Sequence, residues 1–394
     1  MGAGHSHDHG RGGGFEAPQG LRRIVIYTLA PLVALTIIGI VLTWPDRSAL
    51  PVIEVGDFVR GTVESVEGCG NDDETCAVAT IRVDEGPDEG STVTLNLTIG
   101  LTSPALEPGT RVYLQPLPEG SDPAYALADV DRTVPLLVLS LLFAAAVVVL
   151  ARWKGVNALI GLAASLLILG IYVLPALLEG QSPVLIASIG AAAIAIMSMG
   201  LAHGFNVRTG VALIGTLIAL IITTLLGALF TEAMNFTGVA TDDAAYLNVV
   251  SGGVLDLRGL LLAGLVIGAL GVLDDVTVTQ AATVWEVYGA DERVSLRSLW
   301  AAGMRVGRDH VAAVVNTLVL AYAGAALPLF LLLTLSDAPM LQSINSETIA
   351  AEVVRSMVGG LGIIAAVPIT TGLAAALLVD SRRRAVAASR YIKP

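Results

Sequence analysis

The stretch Val134-Pro135-Leu136-Leu137-Val138-Leu139-Ser140-Leu141-Leu142-Phe143-Ala144-Ala145-Ala146-Val147-Val148-Val149-Leu150-Ala151 decides the fold class. It holds no charged residue and one hydroxyl. About 20 such residues wound as a helix cross about 30 Å of hydrocarbon, so the run predicts a membrane span. Working outward, seven more runs read the same way: Ile24–Leu42, Val156–Leu178, Pro183–Ala202, Val211–Phe230, Gly259–Leu273, Val311–Leu335 and Ser356–Val379. Composition agrees, with 54% apolar residues, 14% charged residues and a mean hydropathy of +0.76. A soluble chain cannot hide that much apolar surface. The expectation is an all-α polytopic protein with eight transmembrane helices.

The first run has the look of a signal segment. It is long for one, however, and no small-x-small cleavage site follows Trp44. A retained anchor over 24–43 is the expected form.

Loop charges orient the spans. Arg22 and Arg23 precede the first run, Arg152 and Lys154 join the second and third, and Arg208 joins the fourth and fifth. Arg293, Arg297, Arg305 and Arg308 lie between the sixth and seventh, and Arg382, Arg383, Arg384, Arg390 and Lys393 follow the eighth. With eight spans, all of these fall on one side. Both termini are then cytoplasmic (N-in/C-in), in a bacterial cytoplasmic membrane. The expected division is a His/Gly-rich tail at 1–23, the anchor, an outer domain at 45–132, a seven-helix membrane domain at 133–380 and a basic tail at 381–394.

The net charge of −12 sits in the outer segment. Residues 45–132 hold 17 acids against 5 bases, which leaves 17 of each elsewhere from totals of 34 and 22. An acidic surface disfavours nucleic acid as a partner. The segment alternates apolar and polar residues at 58–66, 77–83, 92–97 and 110–114, with Gly, Asp and Pro clusters between. Four or five short strands in this length predict a small extracytoplasmic β-barrel, OB-like, inserted between helices 1 and 2. Cys69 and Cys76, the chain's two cysteines, are a candidate disulfide on a hairpin there. They are too few for a four-ligand zinc site.

Four segments resemble the YibE/F-like family of bacterial multi-pass membrane proteins. They are Leu201-Ala202-His203-Gly204-Phe205-Asn206 with Gly215-Thr216-Leu217, and Leu270-Gly271-Val272-Leu273-Asp274-Asp275-Val276-Thr277-Val278-Thr279-Gln280. The others are Gly307-Arg308-Asp309-His310 continuing to Asn316-Thr317, and Glu352-Val353-Val354-Arg355 leading to Pro368-Ile369-Thr370-Thr371. The resemblance implies a membrane permease group of open substrate.

Asp274 and Asp275 are the strongest functional signal. The sixth run has 15 uncharged residues between Arg258 and Asp274, about 22 Å of helix. A span that short either begins earlier or carries the acidic pair into the bilayer, where a carboxylate must meet protein, water or a cation. The competing reading makes Asp275 an N-cap for a separate helix over 276–287. The seventh run places Asp309, Ala313, Asn316 and Leu320 on one face, a pattern that also serves helix packing. Pro368 with Thr370 and Thr371 reads as a broken helix or as a plain kink. The expected site joins Asp274, Asp275, Asp309, Asn316, Thr370 and Thr371 in an ion or substrate path. His5, His7 and His9 form a short metal-type tract.

No Walker A, GxSxG, HExxH or CxxC motif occurs, so no enzyme activity and no cofactor is expected. The functional expectation is a secondary transporter or permease of a small solute or ion. The alternatives are a non-transporting scaffold or signalling subunit that uses its outer domain, and a divalent-cation transporter. Expected partners are the lipid bilayer and the solute, with a homo-oligomer or a second membrane protein as further candidates.

Overall fold

The computed structural model describes residues 19–46, 57–68, 76–98, 106–118, 120–335 and 339–391. The chain divides into two compact units, residues 52–150 and the remainder.

The smaller unit holds five strands and one helix. The strands are β1 (Val59–Gly68), β2 (Cys76–Val83), β3 (Thr92–Thr98), β4 (Arg111–Pro116) and β5 (Tyr125–Val130). All pairings are antiparallel and the order is β3-β2-β1-β4-β5. Alternation buries one face: Val59 and Val63, Ala79, Ile81 and Val83, Leu95 and Leu97, then Val112 and Leu114. This is the period-2 pattern of a sheet with one wet side. Gly61 pairs with both Val83 and Val112. A Cβ there would lie 2.8 Å from Ile81 Cγ2 and 3.0 Å from the Arg82 carbonyl, so a side chain cannot be accommodated. The fifth strand was not among the alternating segments, because Tyr-Ala-Leu-Ala-Asp-Val alternates weakly. Among the described residues the five strands form one small antiparallel sheet with no hydrogen-bonded ladder between β3 and β5. Cys76 is disulfide-bonded. Cys69, the other half of the expected bridge, lies outside the described residues, as do His5, His7 and His9.

Helix α2 (Thr133–Ala151) completes this unit. Before it, Asp129 accepts from the Val130 amide at 2.7 Å and, through both carboxylate oxygens, from Arg132 Nη1 at 2.9 Å. Those donors hold the Asp129 carboxyl below its ordinary 3.8, the amide first and Arg132 second. A depressed carboxyl stabilises the fold above its unfolded value, and that contribution is lost as pH falls through the folded value. Asp129→Asn is therefore expected to speed amide exchange in β5 at pH 6 and to change nothing below about pH 2. Equal effects at both pH values would contradict this.

The larger unit is a helical bundle. Its helices are α1 (Gln19–Leu42), α3 (Trp153–Ile168), α4 (Pro183–His203), α5 (Val207–Ala233), α6 (Asp242–Val250), α7 (Leu257–Ala290), α8 (Leu296–Ala325), α9 (Leu327–Leu335), α10 (Met340–Ile344) and α11 (Glu347–Tyr391). Helix α3 continues through a π-turn at Leu169–Val173 into Leu174–Leu178. That turn carries buried Tyr172, whose hydroxyl meets Oγ1 of Thr43, the residue after α1, at 2.6 Å. Side chains fix several helix starts. Asn206 accepts from the Thr209 amide, Asp256 from Gly259 and Ser295 from Ser298.

Seven helices among the described residues are long and apolar enough to cross a membrane. The count is eight if α8 and α9, bent by 61° at one break, form a single span. One helix of 34 residues runs from Leu257 to Ala290, so Asp275 caps nothing: the competing reading of a separate capped helix over 276–287 is corrected, and the acidic pair lies mid-helix. Likewise α11 runs unbroken for 45 residues through Pro368, which corrects the broken-helix reading.

Helix α7 is the centre of the bundle, packed by α4, α5, α8 and α11. Small residues set the close approaches. A Cβ on Gly227 would sit 2.6 Å from Leu262 Cδ1, and one on Gly307 2.4 Å from Val367 Cγ1. At one rim, the Glu347 carboxylate accepts from the Thr237 and Gly238 amides at 2.9 and 2.7 Å and from Thr237 Oγ1 at 2.8 Å. This ties the α5–α6 connection to the start of α11, where the helix dipole favours an acid. Glu347→Ala is expected to lower stability by about 1–2 kcal/mol, discounted for exposure, read as a thermal shift in detergent. An unchanged transition would show that water replaces the tie.

Candidate functional site

Asp274 lies on the side of α7 that faces α4. Ser198 Oγ donates to Asp274 Oδ2 at 2.8 Å. Asp274 Oδ1 is buried and has no hydrogen-bond partner among the described residues. One turn on, Thr277 Oγ1 donates to the Asp274 carbonyl at 3.2 Å and meets Thr216 Oγ1 of α5 at 2.6 Å. Another turn on, buried Gln280 donates from Nε2 to the Gly303 carbonyl of α8 at 2.8 Å and to Thr371 Oγ1 of α11 at 2.7 Å. Thr371 donates in turn to the Val367 carbonyl. Polar groups on four neighbouring helices thus converge on one face of α7.

The Thr216–Thr277 contact and the Gly227–Leu262 approach fix α5 and α7 as antiparallel neighbours. Asp274 is then level with about residue 219 of α5, about 18 Å from one end of that helix and about 21 Å from the other. Along α4, whose Ser198 bonds it, the same carboxyl is about 22 Å from one end and about 8 Å from the other, so it stands inside the bundle and nearer one end of α4.

The other expected site residues separate into two groups. Thr370 and Thr371 are fully buried; Thr371 joins Gln280, while Thr370 Oγ1 has no hydrogen-bond partner among the described residues and packs where a Gly215 Cβ would be. Asp275 is exposed and lies within electrostatic range of His203, which also feels Arg208 and Lys154. Asp309 and Asn316 do not join Asp274. Both are exposed, while Gly303, Gly307 and Leu318 form the buried face of α8. Helical periodicity put Asp309 and Asn316 correctly on one face, but that face points away from the bundle. Among the described residues no hydrogen bond links either to the acidic pair. No group of three His, Cys, Asp or Glu side chains able to hold a metal occurs among the described residues.

Sequence reasoning missed Ser198, Thr216 and Gln280 as partners. A signal existed for one of them: Thr209, Thr216 and Thr223, seven apart in α5, are all buried. Ser198 offered none, being a lone hydroxyl in an apolar run.

Neither the curated proteins nor the solved structures contain a match to this chain. Comparison with protein families matches residues 139–380, more than half the chain, to the YibE/F-like proteins. That region takes in Asp274, Ser198 and every partner described above, and the chain belongs to the YibE/F-like family.

Proposed function

We propose that this protein is a secondary transporter or permease in which Asp274 is the group that exchanges a proton or a small cation. One observation carries the reading. A carboxyl inside the helical bundle has one oxygen bonded to Ser198 and the other buried without a partner among the described residues. Insertion scales put an ionised carboxylate at a helix centre at about 2.5–3.5 kcal/mol, so such groups face protein or water and mark ion paths. The Thr216–Thr277 and Gln280–Thr371 contacts extend polar character along the same face of α7. Loop charges support an arrangement with α8 and α9 as one span, both termini inside and the acidic β-unit outside. The strand order, with β1 between β2 and β4, supports an OB-like reading of that unit.

The test uses purified protein in liposomes that enclose a pH-sensitive dye. Gradients of H⁺, Na⁺ and K⁺ are imposed one at a time. At least one gradient is expected to move lumenal pH faster than in protein-free liposomes, and Asp274→Asn is expected to remove that difference. Flux at the protein-free level throughout would favour the scaffold reading, and full flux in Asp274→Asn would remove Asp274 from the path.

A further inference from the structure

The outward face of α8 carries a pattern that the transport reading does not use. Arg305, Asp309, Ala312, Asn316, Val319 and Ala323 follow one another at intervals of four, three, four, three and four. This 3.5-residue period is the seam of a left-handed pair of helices. The first five are exposed and Ala323 is half-buried. The opposite face of the helix is occupied, with Gly303 against Thr371, Gly307 against Val367 and Gly359 near Leu318. The seam is therefore surplus to the packing of the larger unit.

Its depth makes it unsuited to lipid. Gly268 of α7 meets the Tyr322 hydroxyl, and Gly303 and Gly307 meet Gln280. Between those contacts Asn316 is level with about residue 272 of α7, close to the height of Asp274. An amide at that depth needs a hydrogen-bond partner, and among the described residues Asn316 has none. Neither Arg305 nor Asp309 forms an ion pair there, although they lie one turn apart on this face.

We propose that the chain forms a parallel homodimer through this face of α8. Three features select a second copy over a different partner. An Asn amide is both donor and acceptor, so two Asn316 side chains satisfy each other across a two-fold axis. In that register each layer meets its own copy, and Arg305 and Asp309 carry opposite charges about 6 Å apart along the helix, so the long Arg305 side chain of one copy reaches diagonally along the seam to Asp309 of the other. Ala312, Val319 and Ala323 between them are small enough for the backbones to approach. A single polar residue on an otherwise small and apolar seam also fixes register.

The full-length chain in liposomes tests this with two readouts. Ala312→Cys, oxidised with copper phenanthroline, is expected to give a band at twice the chain mass. Leu225→Cys, exposed on α5, is expected to give none under the same conditions, and neither is the parent chain. Donor–acceptor energy transfer against lipid dilution reads the affinity. Asn316→Leu is expected to weaken association about 3- to 30-fold, the span measured for interhelical hydrogen bonds, and Asn316→Gln to retain most of it. Leucine is the more lipid-soluble residue, so a lipid-facing seam would leave Asn316→Leu unaffected or tighter. That result would overturn the proposal. So would equal cross-linking at Ala312→Cys and Leu225→Cys, a cross-link only to a chain of another mass, or a monomer at every dilution.

Discussion

Asp274→Leu is expected to abolish flux in reconstituted liposomes while raising the thermal stability of the protein. The two effects have separate causes. The flux effect follows from loss of the exchanging carboxyl, which neither leucine nor asparagine restores. The stability effect follows from cost. Replacing a carboxyl inside a span with leucine removes a group disfavoured by up to about 2.5–3.5 kcal/mol on insertion scales. It leaves Ser198 with its long 3.4 Å contact to the Ala195 carbonyl, a loss of about 1 kcal/mol. The net change favours the leucine variant, and a transition temperature several degrees higher is expected. Asp274→Asn keeps a hydrogen-bond partner for Ser198 and is expected to lose flux with little change in stability. A purely structural Asp274 would reverse this pattern: the leucine variant would melt lower and flux would track the folded fraction. Residues that a protein keeps against its own stability are those that function requires.

Gly238→Ala is expected to be the most destabilising single methyl addition among the glycines of the larger unit. Two penalties coincide there. Gly238 has φ +85°, a left-handed conformation that costs an L-residue about 1–2 kcal/mol. Its added Cβ would lie 2.3 Å from the Leu257 carbonyl carbon, a backbone atom that cannot rotate away. Overpacking of this kind costs about 1–3 kcal/mol more. The damage reaches function, because Leu257 begins α7 and Gly238 donates to Glu347. Gly264→Ala is the control. Nothing lies within 4 Å of a Cβ at that position, and Gly264 sits inside helix α7, where alanine is favoured by about 1 kcal/mol. Melting of both variants in nanodiscs should move them in opposite directions. A Gly238→Ala protein as stable as wild type would show that the α5–α6 connection can shift without strain.

The helical part of the fold was legible because a bilayer demands long uncharged runs, and all eight runs lie in helices, the run 311–335 divided between α8 and α9 at their bend. The boundaries were less legible for a physical reason. Apolar runs report what lipid can accept, whereas helices α7, α8 and α11 extend well past their runs because they continue to pack on one another. Trp285 and Tyr288 of α7, Leu299 of α8 and Leu378 of α11 share one cluster with Leu21 and Val25 of α1. Charge marked the end of hydrocarbon, and it was taken for the end of a helix. The same confusion produced the capping reading of Asp275. At the site, the importance of Asp274 was visible from the cost of a carboxylate near a span. Its partners were not, since Ser198 and Thr216 belong to helices whose register with α7 is a tertiary fact. Asp309 and Asn316 show the limit most clearly. Periodicity placed them together on one face of α8, but a period cannot say what that face meets, and here it points outward.

The proposal that Asp274 exchanges its proton or cation from inside the helical bundle is tested most directly by carbodiimide labelling in proteoliposomes. A lipid-soluble carbodiimide modifies membrane-embedded carboxyls, and peptide mass spectrometry identifies the residue. Labelling of Asp274 is expected, slowed by raising the concentration of the ion whose gradient drives flux, with flux lost in proportion to the fraction labelled. An Asp274 that stays unmodified, or one modified while flux continues unchanged, would contradict the account.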